Sequence, residues 1–403
     1  MPALKKWYLR LYDVTQADLN WDNPRVREEL KEILRFWKEK GIRAFRFDVI
    51  NLVSKPERME DDFEGDGRRF YSDGPHIHEY LKELVRDAGI EDFVTVGEMS
   101  FTSLAHCIRY SAPREKELSM CFNFHHLKVD YKDGDKWALQ AVDYRRLKEL
   151  FAEWQMGMQE DDGWNELFWC NHDQPRILSR MGDEDVYWKE SAKMLAGMIH
   201  LMRGTPYIYQ GEEIGMLNAH YPSIDHYRDV ESLNYYRILL EEGKTEDEAL
   251  ETLAARSRDN SRTPMQWNGG TYGGFSEAEP WLPMSAAFRQ EITVEAQRRD
   301  EDSVPAFYKK LIAMRKKYPV IARGDIAFLE TGTELVMVYR RTLGEQKVVV
   351  LCNFDGKQQT INVSKEWGGY RVMLEIMKGG KRGVREGRKG AGFCRGYAER
   401  HGE

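Results

Sequence analysis

The sequence predicts an α/β protein in which a parallel sheet is followed by a small antiparallel β-domain. Three observations carry that reading. Short, almost continuously apolar runs alternate with longer helical patterns between residues 24 and 321, and such runs suit strands buried on both faces. Past residue 322 the helical patterns stop and turn residues separate alternating runs. Hydrophobic residues make up 41% of the 403, enough to build a core and to exclude global disorder.

The elements follow in order. NPRVREELKEILRFWKEKG, residues 23–41, reads as a helix, with Asn23 as N-cap, Pro24 in the first turn and Gly41 at the end. IRAFRFDVINLV follows as a buried strand. The same beat recurs in IHEYLKELVRDAG (helix) and FVTVGEM (strand). It recurs again in MCFNF (strand) with DYRRLKELFAEWQM (helix), and in NELFWC (strand) with VYWKESAKMLAGMIHLMRG (helix). TPYIYQG is a fifth strand, and helices are expected at 229–242 and 306–321. Five units are too few to close an eight-stranded barrel. Residues 1–322 are therefore assigned to the βα domain, with a long loop insertion at about 217–300, and residues 323–377 to the β-domain. Residues 378–403 hold eight Gly, eight Lys or Arg and three Glu, a composition that predicts a disordered basic tail.

Composition narrows the function. A net charge of −7 argues against a nucleic-acid partner. No apolar run reaches the ~18 residues that a membrane span needs. The opening MPALKKWYLRLYD has no apolar core of a secretory signal. Cys107, Cys121, Cys170, Cys352 and Cys394 are odd in number and show no CxxC pair. That pattern predicts a reducing, cytoplasmic setting with no disulfide framework and no zinc site. DFEGDG at 62–67 lacks the closing glutamate of a calcium loop. No metal and no cofactor are expected.

Acidic residues sit at strand ends: Asp48 closes IRAFRFD, Glu98 closes FVTVGE, and Asp173 follows LFWCNH. A strand-end acid can simply cap the next helix. Three such acids on the C-terminal face of a βα barrel instead suit glycoside chemistry. Arg46 lies two residues before Asp48 and shares its face, and His172 adjoins Asp173.

Together these segments resemble the α-amylase superfamily, glycoside hydrolase family thirteen, over roughly residues 5–375. The resemblance rests on GIRAFRFDVIN, VGEMS, CNHDQPR, TQADLNW and GTPYIYQGEEIG. It implies an incomplete (β/α)8 TIM-type barrel whose strands are the family's fourth to eighth. It implies Asp48 as nucleophile, Glu98 as acid/base and Asp173 as transition-state stabiliser, with His172 on the same sugar hydroxyls and Arg46 keeping Asp48 ionised. A retaining outcome requires the two reacting carboxyls to lie about 5–5.5 Å apart.

Val49 and SRDNSRTPMQW resemble the oligoglucosidase branch, and there Arg262 would contact the terminal glucose. FNFHHLKVDY, FWCNHDQPR and GEMSFTS are most similar to enzymes acting on trehalose 6-phosphate. The implied partner is thus a small phosphorylated disaccharide, with oligo-1,6- or dextran-type glucosides as the alternative. Lys128, Lys132 and Lys136 would then read the phosphate as point charges, with Arg68 and Arg69 as further cations. The family's Asp-x-x-x-Asn-His stretch is absent. The resemblance therefore leaves open a chain with little or no turnover, or a non-catalytic carbohydrate-binding remnant.

Overall fold

The structure, a computed structural model, describes residues 7–58, 60–361 and 370–376, and the backbone of 395–399. The chain divides into two compact units, residues 1–124 with 156–166, and residues 125–155 with 167–403. No helix among the described residues is long and apolar enough to cross a membrane.

The first unit is built on a parallel sheet of β1 (Ala44–Phe47), β2 (Val94–Glu98) and β3 (Met120–Phe122), in that order. α1 (Pro24–Glu39) starts where expected, its Arg25 N–H donating to Asn23 Oδ1 at 3.0 Å. Gly41, at φ +95°, lets the chain leave the helix where a Cβ would be strained. α2 (Ile77–Asp87) packs Ile77, Leu81 and Leu84 into the core. Its outer turn is tied to α1 by Lys31, which lies 2.7 Å from Glu83 and 3.1 Å from Asp87. A helix the sequence pattern did not signal, α3 (Leu104–Ser111), is short and is capped by Ser103 accepting from the His106 N–H. Its eight residues offer too little periodicity to register.

Two of the expected strands shrink. β4 (Glu166–Leu167) and β5 (Thr205–Pro206) are a two-residue pair each, far shorter than NELFWC and TPYIYQG. Phe168, Trp169 and Cys170 are buried as the apolar run required. Trp169 spends its indole N–H on the Leu195 carbonyl, at 2.8 Å. Burial thus carries that run where ladder pairing does not. The single helix expected at 306–321 is two helices, Val304–Lys317 and Pro319–Arg323. Pro319 lacks the N–H that continuation needs and drives Tyr318 to an extended conformation, φ −115°, ψ 98°.

The insertion at 217–300 is more than loop. It holds helices Val230–Glu241 and Glu246–Arg256, the second opened by a Thr245–Glu248 capping box. Trp137, Tyr221, Tyr227, Leu239 and Leu253 form a core cluster of their own beneath them.

The β-domain is an antiparallel sheet of β6 (Asp325–Leu329), β7 (Val336–Leu343), β8 (Gln346–Asn353), β9 (Tyr370–Glu375) and β10 (Arg395–Glu399). Their order is β6-β7-β8-β10-β9. The predicted disordered tail is corrected here for residues 395–399, which form the strand between β8 and β9. Backbone pairing on both sides holds five residues that an average over a Gly-rich tail conceals. The rest of 378–403 lies outside the described residues.

Candidate active site

In the first unit, β1 and β2 bring Asp48 and Glu98 to one guanidinium. Arg46 Nη1 donates to Asp48 Oδ1 at 2.6 Å, and Arg46 Nη2 donates to Glu98 Oε2. The register explains this, because Phe47 faces Gly97 and the next residues are Asp48 and Glu98. Residues level with one another on parallel strands face the same side, and Arg46 lies two residues back on that side. The two acids differ in setting: the Glu98 side chain is 7% exposed and that of Asp48 is 72%. A buried acid beside an open one suits a division between proton donor and nucleophile.

The backbone turns sharply just after Asp48. Val49 adopts φ 37°, ψ 42°, a left-handed conformation that is strained for a β-branched residue. The turn is held by Asn51, fully buried and missed in the sequence because an amide inside DVINLV gives no periodic signal. Asn51 Nδ2 donates to the Ser100 carbonyl at 2.7 Å and to Asp73 Oδ1 at 3.0 Å, while its Oδ1 accepts the Ser100 N–H at 2.9 Å. Tyr110 donates its hydroxyl to the same Asp73 oxygen at 2.7 Å. The loops that follow the two acids are therefore clamped together by one amide.

In the second unit, Asp173 is gripped by two arginines and a histidine. Arg262 Nη2 lies 2.8 Å from Asp173 Oδ1, Arg258 Nη1 lies 3.5 Å from it, and His172 Nε2 lies 3.3 Å from Asp173 Oδ2. Arg262 Nε also donates to the His172 carbonyl at 2.7 Å. Arg262, expected on a terminal glucose, is thus engaged with Asp173. Arg258, missed although it stands in the same SRDNSRT segment, continues to buried Asp229 at 2.8 Å. Arg262 also lines a cavity of about 400 Å³ with Gln210, Glu213, Met265, Trp267 and Trp281, a size and aromatic lining that suit a sugar.

Asp130 was also missed, and it organises this unit. Arg180 and Arg256 both close on its buried carboxylate, at 2.6 Å and 2.5 Å. Burial alone would raise the Asp130 carboxyl; Arg180 and then Arg256 outweigh it and hold the group below its ordinary range. The triad joins the Lys128–Lys136 segment, the helix just after Asp173 (Ile177–Met181) and the helix ending just before Arg258.

The three lysines part company. Lys128 and Lys132 are exposed. Lys136 is committed to Glu231 at 2.7 Å and lies over the Trp137 ring, 4.8 Å from its centroid. Burial pushes the Lys136 ammonium below its ordinary value against the pull of Glu231. Nearby His126 is a structural group: burial pushes it down to about 4, and its Nε2 donates to the Phe168 carbonyl at 2.9 Å. In the first unit Arg68 pairs with Asp66 and Arg69 with Asp62, the latter at 2.9 Å. The acids of the 62–67 loop thus face arginines.

Comparison with known proteins accords with these motifs. The chain is 51% identical to a trehalose-6-phosphate hydrolase of Bacillus subtilis (strain 168) over 357 residues, covering 88% of this chain and 64% of that protein. It is 50% identical to a trehalose-6-phosphate hydrolase of Escherichia coli (strain K12) over 371 residues, covering 92% of this chain and 67% of that one. The crystal structure of Bacillus licheniformis trehalose-6-phosphate hydrolase superposes with a TM-score of 0.91 at 48% identity, covering 98% of this chain and 72% of that one. The chain thus spans about two thirds of the length of the curated relatives it matches. The likeness assigns it an alpha-amylase-type TIM-barrel fold with a small antiparallel β-domain. Residues 3–324 match the family description "Alpha amylase, catalytic domain", and the chain belongs to the alpha-amylase family of glycoside hydrolases.

Proposed function

We propose that the protein is a retaining α-glucosidase that hydrolyses trehalose 6-phosphate to glucose and glucose 6-phosphate. The observation that carries the reading is the single Arg46 guanidinium shared by Asp48 and Glu98. It keeps an open carboxylate and a buried one within one side chain's reach, as a double displacement demands. Asp48 attacks the anomeric carbon, the bond to the bridging oxygen breaks, and Glu98 gives its proton to that oxygen. Glucose 6-phosphate leaves and a glucosyl ester remains on Asp48. Water then attacks, Glu98 takes its proton, and glucose is released with Asp48 restored. Asp173, held by Arg262 and His172, would take the transition-state-stabilising role that the family resemblance implies for it.

The name carried by relatives at 50–51% identity supports the phosphorylated substrate, and exposed Lys128 and Lys132 offer it cations. The parallel strand segments correspond, on this reading, to the fourth to eighth of an eight-stranded barrel. Free buried thiols at Cys107, Cys121, Cys170 and Cys352 support a reducing compartment such as the cytoplasm.

The test is kcat/KM for trehalose 6-phosphate, trehalose and isomaltose, with Asp48→Asn as control. The reading expects trehalose 6-phosphate to be fastest and the control to be inert. Faster turnover of isomaltose would assign the chain to oligo-1,6-glucosidases. Sugar binding with no turnover that the control abolishes would mark a non-catalytic carbohydrate-binding protein.

A further inference from the structure

A third carboxyl stands in the row of the proposed reacting pair. Glu98 is level with Phe122 on β3, and Cys121, one residue earlier, is bridged in parallel by Asn165. Glu166 is therefore level with Phe122 and Glu98 and faces the same side as both. The Arg46 guanidinium reaches into this part of the row, lying over the Phe122 ring, 5.9 Å from its centroid. Phe122 is the residue between Glu98 and Glu166. Cys121 points to the opposite side, its thiol donating to the Cys107 carbonyl at 3.5 Å. Among the described residues of β1 to β3 and the turn after β1, the charged groups on Glu166's side are Arg46, Asp48 and Glu98; β3 contributes none.

We propose that Glu166 is a positioning residue for the Asp48–Glu98 pair: as a neutral acid it leaves Arg46 to those two carboxylates, and once ionised it competes for the guanidinium and slackens their arrangement. The proposal deepens the reading of Asp48 and Glu98 as the reacting groups and rests on it. Burial pushes the Glu166 carboxyl up to about 8, with Arg46 pulling the other way. The switch is therefore placed at the alkaline edge of neutral pH.

Two measurements separate this proposal from the catalytic reading. The first needs no turnover. Carboxyl and guanidinium NMR between pH 6 and 10 follows Glu166, assigned by Glu166→Gln, and Arg46, assigned by Arg46→Lys. Glu166 is expected to titrate near 8, and the Arg46 signal to move with the same midpoint in the wild type and to stay flat in Glu166→Gln. The second is the pH profile of α-glucoside turnover. The wild type is expected to lose about tenfold between pH 7 and pH 9, as one ionisation with that midpoint requires. Glu166→Gln should lose less than about twofold, and Glu166→Asp should restore the decline. A Glu166 midpoint in the ordinary carboxylate range, or an Arg46 signal indifferent to Glu166, overturns the proposal. Coupling seen by NMR together with turnover indifferent to Asp48→Asn would instead overturn the catalytic reading.

Discussion

Replacing Asp130 by asparagine should be among the most destabilising single changes in the second unit. Asp130 is 3% exposed, Arg256 is 3% exposed and the Arg180 side chain is 2% exposed. The carboxylate takes Arg180 Nη2 at 2.6 Å and Nε at 3.1 Å, and Arg256 Nη1 at 2.5 Å. Removing one partner of a buried ion pair costs about 3–5 kcal/mol, because the remaining charge is left without compensation. Here two guanidiniums are left. The amide keeps one oxygen as acceptor, which places Asp130→Asn near the lower end, about 3 kcal/mol. With a slope of ~3 kcal/mol/M in urea, the midpoint should fall by about 1 M. Tryptophan fluorescence is the readout, since Trp137, Trp169 and Trp188 lie in the same unit. The pH dependence has a definite sign. A carboxyl held below its ordinary value contributes stability that is present above about pH 4 and lost as pH falls through the lowered value. The gap between wild type and Asp130→Asn should therefore narrow from pH 4 downward. A midpoint shift worth less than about 1 kcal/mol, or a gap unchanged on acidification, would refute the reasoning.

Two further outcomes follow from the same geometry. Lys128→Ala and Lys132→Ala should raise KM for trehalose 6-phosphate several-fold, more so at low salt, with little change for unphosphorylated trehalose. Lys136→Ala should affect both substrates alike, because its ammonium already serves Glu231; steady-state kinetics at two ionic strengths distinguishes the cases. Asn51→Ala should destabilise by about 2–3 kcal/mol, leaving Asp73 and the Ser100 groups short of partners. It should also lower kcat more than it raises KM, read by thermal melts alongside single-turnover rates; a change confined to KM would count against the clamp.

The candidate catalytic residues stand out in the sequence because each sits where a short apolar run meets a turn. Asp48, Glu98 and Asp173 all show that signal, as does Arg46 through the two-residue period. The supporting residues do not. Asn51 is a polar group inside an apolar run and Asp130 is one charge among many in LKVDYKDGDK, and their importance comes from partners far away in sequence: Asn51 meets Ser100 and Asp130 meets Arg256. No local pattern encodes such pairings. Glu166 reads locally as an ordinary strand-flanking charge; only the register through Asn165 and Cys121 sets it level with Glu98. The lysines illustrate the same limit, since spacing groups Lys136 with Lys128 and Lys132 while Glu231 claims it. Strand length was overestimated at NELFWC because hydrophobicity reports burial and a buried extended run need not be laddered, and at TPYIYQG because an apolar run need not be buried, Tyr207 and Ile208 being exposed. The helical pattern over 306–321 hides the stop that the missing N–H of Pro319 and the extended Tyr318 impose.

The central claim is that Asp48 forms the covalent bond to the sugar. A fluorinated α-glucosyl fluoride, whose glycosyl-enzyme hydrolyses slowly, should trap that bond, and peptide mapping by mass spectrometry locates it. The account predicts one fluoroglucosyl adduct on the peptide containing Asp48, formed with release of fluoride and absent from Asp48→Asn. An adduct on Glu98 or any other residue, or hydrolysis of α-glucosides that survives Asp48→Asn, would contradict it.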